Sequence, residues 1–407
     1  MQSQIVIAFF LYFLILLAIG LISHKKQTSS ADFIVGNRSL NFWLTALSAH
    51  ASDMSAWLFM AFPAALFIKG VPGLWIGVGL VIGMLSNWQF VAERLRRETE
   101  KYNSFTLSTF FERRFQDGSG IIRVLTALMS IVFLTIYLGS GLYAMGLLFT
   151  SIFGIEYYIG ISISTFVVLT YVFFGGFITV AWTDFVQGLF LLFVIGLVAI
   201  LSYLSIPGGW NTIATMAHSR DVPLGLIDNL NVYGVISIIF SILSYGLGYY
   251  GQPHIITKFM GIKSPSEMNK AKYLGMSWQI LSLLAAGMIG LVGLGFFPDG
   301  LKQPELVFVE IVKNLFHPLI IGFFLCGMIA ANMSTMDSQI LVCASVLSED
   351  FYKHIFKKNA SPLELLRASR ISVIIVSVAA LLIASFTNSS IFSMVLYAWS
   401  GLGSSFG

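Results

Sequence analysis

Charge is what this sequence has least of. Only 10% of its 407 residues are Asp, Glu, Lys or Arg, against about a quarter in a typical soluble domain. That scarcity excludes a soluble globular protein and a disordered chain. The formal net charge of +4 is no polybasic field, so a nucleic-acid binder is excluded as well. Cysteine is almost absent. Cys326 and Cys343 both lie in apolar runs, so neither a disulfide framework nor a thiolate metal site is implied. The N-terminus also lacks the basic region of a cleavable signal: Met1-Gln2-Ser3-Gln4 carries no positive side chain, and Lys25-Lys26 follows the first apolar run. What remains is 57% apolar and 14% aromatic, with 36 Phe. This is the composition of an all-α polytopic membrane protein.

A helix needs about 20 mostly apolar residues to cross the hydrocarbon core. On that criterion the chain contains eleven spans, near 4–22, 42–67, 72–92, 121–152, 156–175, 178–206, 233–257, 273–297, 318–347, 371–389 and 390 onward. Basic residues sort them. Lys25, Lys26 and Arg38 follow span one; Arg94, Arg96, Arg97, Lys101, Arg113 and Arg114 follow span three. Lys258, Lys263, Lys270 and Lys272 follow span seven; Lys353, Lys357, Lys358, Arg367 and Arg370 follow span nine. These are 18 of the 23 basic residues, all on one side, while the opposite loops carry Lys69, Arg220, Lys302 and Lys313, and Arg123 sits at a boundary. The positive-inside rule makes the crowded side cytoplasmic and puts the N-terminus outside, in a plasma membrane of the bacterial inner-membrane type. The sequence stops at Ser404-Ser405-Phe406-Gly407 within the eleventh apolar stretch, so a further C-terminal part is expected.

Two spans carry interruptions. Span two reads Leu47-Ser48-Ala49-His50-Ala51-Ser52-Asp53-Met54-Ser55-Ala56-Trp57, with ionisable and hydroxyl groups at a depth where charge is expensive. Span seven reads Tyr245-Gly246-Leu247-Gly248-Tyr249-Tyr250-Gly251-Gln252-Pro253-His254, where Gly and Pro weaken the helical ladder. Freed backbone survives in a membrane only against protein or a water-filled cavity. The two spans run in opposite senses and begin five spans apart. A five-span unit repeated there is therefore inverted, which points to a secondary transporter with a midplane site.

The chain resembles the sodium:solute symporter family, and within it the sodium/proline symporter branch. The resemblance rests on Ala51-Ser52-Asp53-Met54-Ser55, Trp182-Thr183-Asp184, Gly246-Leu247-Gly248-Tyr249-Tyr250-Gly251-Gln252-Pro253-His254, Phe259-Met260, Met333-Ser334-Thr335, Leu341-Val342-Cys343 and Glu349-Asp350-Phe351-Tyr352-Lys353. It implies a five-plus-five inverted-repeat core with one extra N-terminal helix: 4–22 as the extra helix, 42–206 as the first repeat and 233–407 as an incomplete second repeat, within one transmembrane transporter domain.

Ala331, Ser334, Thr335 and Ser338 recur at i, i+3, i+4 and i+7, so they share one face of span nine. The resemblance implies sodium as coupling ion between the carbonyls of Ala51, Met54 and Ala331 and the hydroxyls of Ser334 and Thr335. It also implies an indirect role for Asp53 in sodium affinity; a cap on the second half-helix is the alternative. The resemblance also implies a second cation site in some members, for which Asp184, Asp337 and Ser338 are the candidates here, with proton uptake as the alternative reading of the two acids.

A small zwitterionic amino acid needs a helix N-terminus or a cation for its carboxylate, and an apolar or aromatic wall. Ser55, Ala56, Trp57, Tyr245, Tyr249 and Pro253 in the interrupted segments meet that need, and Tyr137 joins them by resemblance. The proline branch usually has Trp at the place of Tyr245, and small Gly residues at those of His50 and Ala56. Proline remains the expected substrate. His50 is expected to donate to a carbonyl in the bundle. Beyond sodium, the amino acid and membrane lipid, the reading calls for no organic cofactor, no nucleic acid and no obligate protein partner. Two rivals are weighed: a transporter-like membrane sensor module of a signalling protein, and a membrane-embedded enzyme using His50 and Asp53, for which no nucleophile and oxyanion arrangement accompanies the pair.

Overall fold

The computed structural model describes residues 2–23, 29–227, 232–387 and 389–407; Lys25 and Lys26 lie outside them. The helices are α1 (Gln2–Ser23), α2 (Ser30–Val35), α3 (Phe42–Met54), α4 (Ala61–Lys69), α5 (Leu74–Ser86), α6 (Glu93–Lys101), α7 (Leu107–Phe115), α8 (Ile121–Phe153) and α9 (Tyr157–Leu204). They continue as α10 (Trp210–Ser219), α11 (Val232–Leu247), α12 (Pro253–Met260), α13 (Met268–Phe296), α14 (Val307–Leu315), α15 (Pro318–Ser345), α16 (Pro362–Phe386) and α17 (Ile391–Phe406). Among the described residues, eight helices are long and apolar enough to cross a membrane, and the bent pair α3–α4 makes a ninth. The shorter apolar helices Tyr157–Thr170 and Ile391–Phe406 take the places of spans five and eleven.

Local chemistry explains the boundaries. Ser29 and Asp32 form a capping box that starts α2, and Ser361 with Glu364 does the same for α16, behind Pro362 in the first turn. Asn41 caps α3 by accepting from the Leu44 N–H at 2.9 Å. The 48 residues of α9 would reach about 72 Å if straight, more than twice the hydrocarbon thickness. Gly176, with φ 63° and ψ −170°, breaks the run between spans five and six.

The loops gather at two ends, as alternating spans require. Arg38 donates to the carbonyls of Thr99 and Ser104, Arg96 to that of Ile262 at 2.7 Å, and Arg123 pairs with Glu112 and Asp350 at 3.0 and 3.4 Å. These contacts join the segments after spans one, three, seven and nine. At the other end Val71 donates to Pro223, Arg220 to Phe297 and the Phe392 N–H to Glu305, joining the segments after spans two, six, eight and ten. Leu40, just before α3, exchanges backbone hydrogen bonds with Gly261 and Lys263, just after α12, at 3.1 and 2.7 Å. Span two thus begins where span seven ends, and the two interrupted spans are antiparallel.

Burial separates the bundle's axis from its rim. Every residue from Phe324 to Val346 of α15 and its continuation is buried, whereas Gly246 is the only residue of α11 buried to that degree. Exposed large apolar side chains such as Phe10, Phe166 and Phe240, each above 60% exposed, form the surface that lipid covers. Where α5 meets α11 the backbones themselves touch. A Cβ on Gly83 would lie 2.2 Å from the Gly246 carbonyl oxygen, and Gly79 stands four residues earlier on the same helix, the small-residue spacing that lets membrane helices approach closely. Gly83→Ala is expected to destabilise the protein by about 1–3 kcal/mol through overpacking. Thermal unfolding of detergent-purified protein checks this. Gly118→Ala is the control, because nothing lies within 4 Å of the added methyl; equal behaviour of the two variants would refute the close-packing argument.

Candidate functional site

The helix of span two fails at Ser55. Its φ of 46° and ψ of −168° lie in a region that favours glycine, and the 3-10 turn Ala56–Leu58 follows before α4 resumes, bent by 66° from α3. The break releases backbone groups, and α15 supplies partners for them. The Ser55 N–H donates to Thr335 Oγ1 at 2.9 Å. Ser334 Oγ lies 2.8 Å from the Ala51 carbonyl oxygen and 3.0 Å from that of Ala331. Thr335 Oγ1 lies 3.5 and 3.3 Å from the same two oxygens. Four of the five expected sodium positions therefore form one buried cluster of oxygens. The fifth, Met54, is the last residue of α3, directly before the break.

Asp53 faces another way. Its Oδ2 accepts from the Tyr249 hydroxyl at 2.5 Å, and Gln279 donates to that same hydroxyl at 3.0 Å. The carboxylate thus bonds a side chain of span seven. Asp53, Met54, Trp57, Tyr137, Tyr245 and Tyr249 line one cavity beside the break, closed by Leu80, Phe392, Val395, Leu396 and Trp399. Tyr137 also donates to the Asp53 carbonyl at 3.4 Å. Ser55 and Ala56 are buried at the break, with Ser55 Oγ accepting from the Trp57 N–H at 3.1 Å. Pro253 is set apart: it lines a different cavity, together with Thr257, Lys258 and Ser338.

Around Asp184 the structure assembles a second polar group. Its Oδ2 accepts from Ser48 Oγ at 2.6 Å, Ser52 Oγ at 3.2 Å and Lys258 Nζ at 3.0 Å. Ser338 Oγ reaches this group through Ser52 Oγ at 2.9 Å. Asp337 is fully buried on α15; the hydrogen bonds to Asp184 given above come from Ser48, Ser52 and Lys258. Lys258 is not the loop charge that its place after span seven suggests. It lies within α12 with 1% of its side chain exposed, because the half-helix after the span-seven break carries it into the bundle.

His50 also departs from expectation. Its Nε2 accepts from the Trp88 indole at 3.1 Å instead of donating to a carbonyl, and Trp88 and Trp278 flank its ring. It makes no bond to Asp53, which leaves the enzyme reading without its pair. Reasoning from sequence missed Trp399, Gln279, Ser48, Ser52 and Lys258 as members of these groups. The i, i+4 spacing of Ser48 and Ser52 was the one signal available.

A broken helix held against a hydroxyl-bearing neighbour, inside a bundle whose two interrupted spans are antiparallel, defines a multi-pass secondary transporter. The model of the sodium:solute symporter family matches residues 33–407, and the chain belongs to that family. It is 42% identical over 396 residues to the high-affinity proline transporter PutP of Bacillus subtilis (strain 168), covering 96% of this chain and 83% of the relative. It is 40% identical over 413 residues to the sodium/proline symporter of Staphylococcus aureus (strain JH9), covering 100% of this chain and 79% of the relative. Among solved structures it is similar to a Na+-coupled sialic acid symporter in a substrate-bound outward-open state, with TM-score 0.83 and 18% identity over 94% of this chain and 82% of that one. MhsT in complex with L-phenylalanine follows at TM-score 0.61 and 16% identity, over 88% and 85% of the two chains. At such identities these two likenesses bear on the fold, and they agree with the inverted-repeat core.

Proposed function

We propose that this protein imports proline, or a closely related small amino acid, together with sodium by alternating access across a bacterial plasma membrane. The observation that carries the proposal is the oxygen cluster of Ala51, Ala331, Ser334 and Thr335 at the break in span two. A hydroxyl can turn its proton away and present a lone pair. Sodium entering there replaces the hydroxyl-to-carbonyl bonds and ties α3 to α15, with the Met54 carbonyl as a further oxygen. The adjoining cavity takes the substrate. Trp57, Tyr137, Tyr245 and Tyr249 supply its aromatic wall, and Ser55 and Ala56 the start of the second half-helix, whose N–H groups suit a carboxylate. Asp53 couples the two places, because its backbone lies at the ion and its side chain holds Tyr249. Residues 42–206 and 233–407 act as the inverted halves, 4–22 as an added helix, and the N-terminus faces outside. The family and the names of the relatives support transport; no observation favours the sensor module.

Uptake of a labelled amino-acid panel into proteoliposomes, with and without a sodium gradient, tests the proposal. Proline is expected to move only with sodium. Tyr245→Trp is expected to shift relative uptake towards proline, because it restores the larger ring usual in the proline branch to the wall of the cavity. If proline neither moves nor competes, and the ring change leaves preference untouched, the substrate assignment fails.

A further inference from the structure

Lys272 is a buried cation without a counter-charge. Only 5% of it is exposed, and a lysine buried to that degree is normally paired. Its ammonium donates to Gln89 Oε1 at 2.8 Å and to Asn269 Oδ1 at 3.0 Å, two neutral oxygens, and lies 4.7 Å from the centre of the Tyr273 ring. Among the described residues no carboxylate pairs with it. Gln89, on the wide helical turn Asn87–Ala92 that continues α5, and Asn269, in the first turn of α13, are both exposed. Each gives its oxygen to the ammonium, so each keeps an amide NH2 group for a further acceptor. The junction lies at the end of the bundle where the basic loops gather, and it borders lipid. Exposed apolar side chains lead away from it along both helices. Leu85 and Ile82 stand four and seven residues before Gln89, and Ile280 and Leu284 seven and eleven residues after the exposed Tyr273. Those intervals keep to one helical face.

We propose that this junction of α5 and α13 binds the headgroup of an anionic phospholipid. The phosphate accepts from the Gln89 and Asn269 amides with the Lys272 ammonium behind them, and the acyl chains lie along the two apolar stripes. A zwitterionic lipid brings a cation of its own, which the buried ammonium repels; a singly anionic headgroup supplies the charge the chain omits. Basic pockets between membrane helices suit such headgroups. A lipid fits better than free phosphate because the polar group continues directly into exposed apolar surface on both helices. The inference rests on the membrane fold, and on neither the ion nor the substrate proposed above.

The test is native mass spectrometry of the full chain, purified in a neutral maltoside detergent and titrated with phosphatidylglycerol or phosphatidylcholine. The wild type is expected to hold its first phosphatidylglycerol at least tenfold tighter than phosphatidylcholine. Lys272→Gln is expected to weaken that first site about fivefold, the effect of one lysine near the membrane surface, and to leave phosphatidylcholine unchanged. Gln89→Glu keeps the lysine and gives it a carboxylate from within the chain, so it is expected to lose the same preference; it decides the matter if Lys272→Gln does not fold. Lys358→Gln removes an exposed charge at the same end and is expected to change nothing. Equal binding of the two lipids by the wild type, undiminished phosphatidylglycerol binding in either folded variant, or an equal loss in Lys358→Gln overturns the inference. Excess inorganic phosphate is expected to leave the bound lipid in place; displacement would make this a site for free anions and overturn the lipid assignment.

Discussion

Thr335→Ala is expected to raise the sodium concentration for half-maximal transport at least tenfold, about 1.4 kcal/mol, and Ser334→Ala is expected to do the same. Ser334 Oγ stands between two carbonyls on different helices, 2.8 Å from Ala51 and 3.0 Å from Ala331. Its removal deletes one ligand and the link that brings the other two together. Thr335 has a further duty: its hydroxyl accepts from the Ser55 N–H at 2.9 Å, so alanine leaves that N–H buried without an acceptor, at a cost of about 1–3 kcal/mol. The Thr335 variant is therefore expected to be the worse of the two, and Thr335→Ser, which keeps the oxygen, should recover most of the loss. Sodium titration of proline uptake at matched expression reads all three. Unchanged sodium dependence in both alanine variants would remove the ion site from α15.

Asp53→Ala is expected to weaken both ligands together, raising the half-saturating sodium and the apparent KM for substrate at least tenfold each. The carboxyl group is the acceptor for the Tyr249 hydroxyl at 2.5 Å, and leaving such a buried donor unpaired costs about 1–3 kcal/mol. Alanine also takes the carboxyl group away from the break, between the Ala51 and Met54 carbonyls. Tyr249→Phe separates the two effects, since it removes the hydrogen bond and leaves the carboxylate. It should raise the substrate KM more than the sodium requirement. Should Asp53→Ala disturb one ligand and spare the other, the proposed coupling through this residue is wrong.

The spans and their alternation were legible because membrane crossing depends on composition over about 20 neighbours, a local property. The interruption in span two was legible for a related reason: small and polar residues packed at 48–55 have no place on a lipid-facing helix. The hydroxyl face of span nine follows from helical spacing alone, and all four of its residues are buried on α15. Other features were illegible from any one stretch. Trp399 reaches the cavity because Gly248 leaves room for its indole; a Cβ there would lie 1.8 Å from Trp399 Nε1. Trp88 meets His50 across 38 residues of sequence. Pro253 and Tyr249 stand four residues apart in one motif, yet the 3-10 turn Gly248–Gly251 between α11 and α12 delivers them to different cavities.

An all-helical membrane protein with two broken spans of opposite sense, and a hydroxyl-bearing helix to face one of them, is written into the order of the residues alone. Those features arise from hydropathy, periodicity and backbone propensity, each decided within a turn or a span. The tertiary structure alone decided which charges stay in the loops and which are buried. Lys258 reads as one more positive residue after an apolar run, and it becomes half of a buried ion pair because α12 carries it to Asp184, 74 residues away in sequence. A charge is affordable inside the bundle only when its counter-charge arrives by packing, and packing joins residues that no local pattern relates.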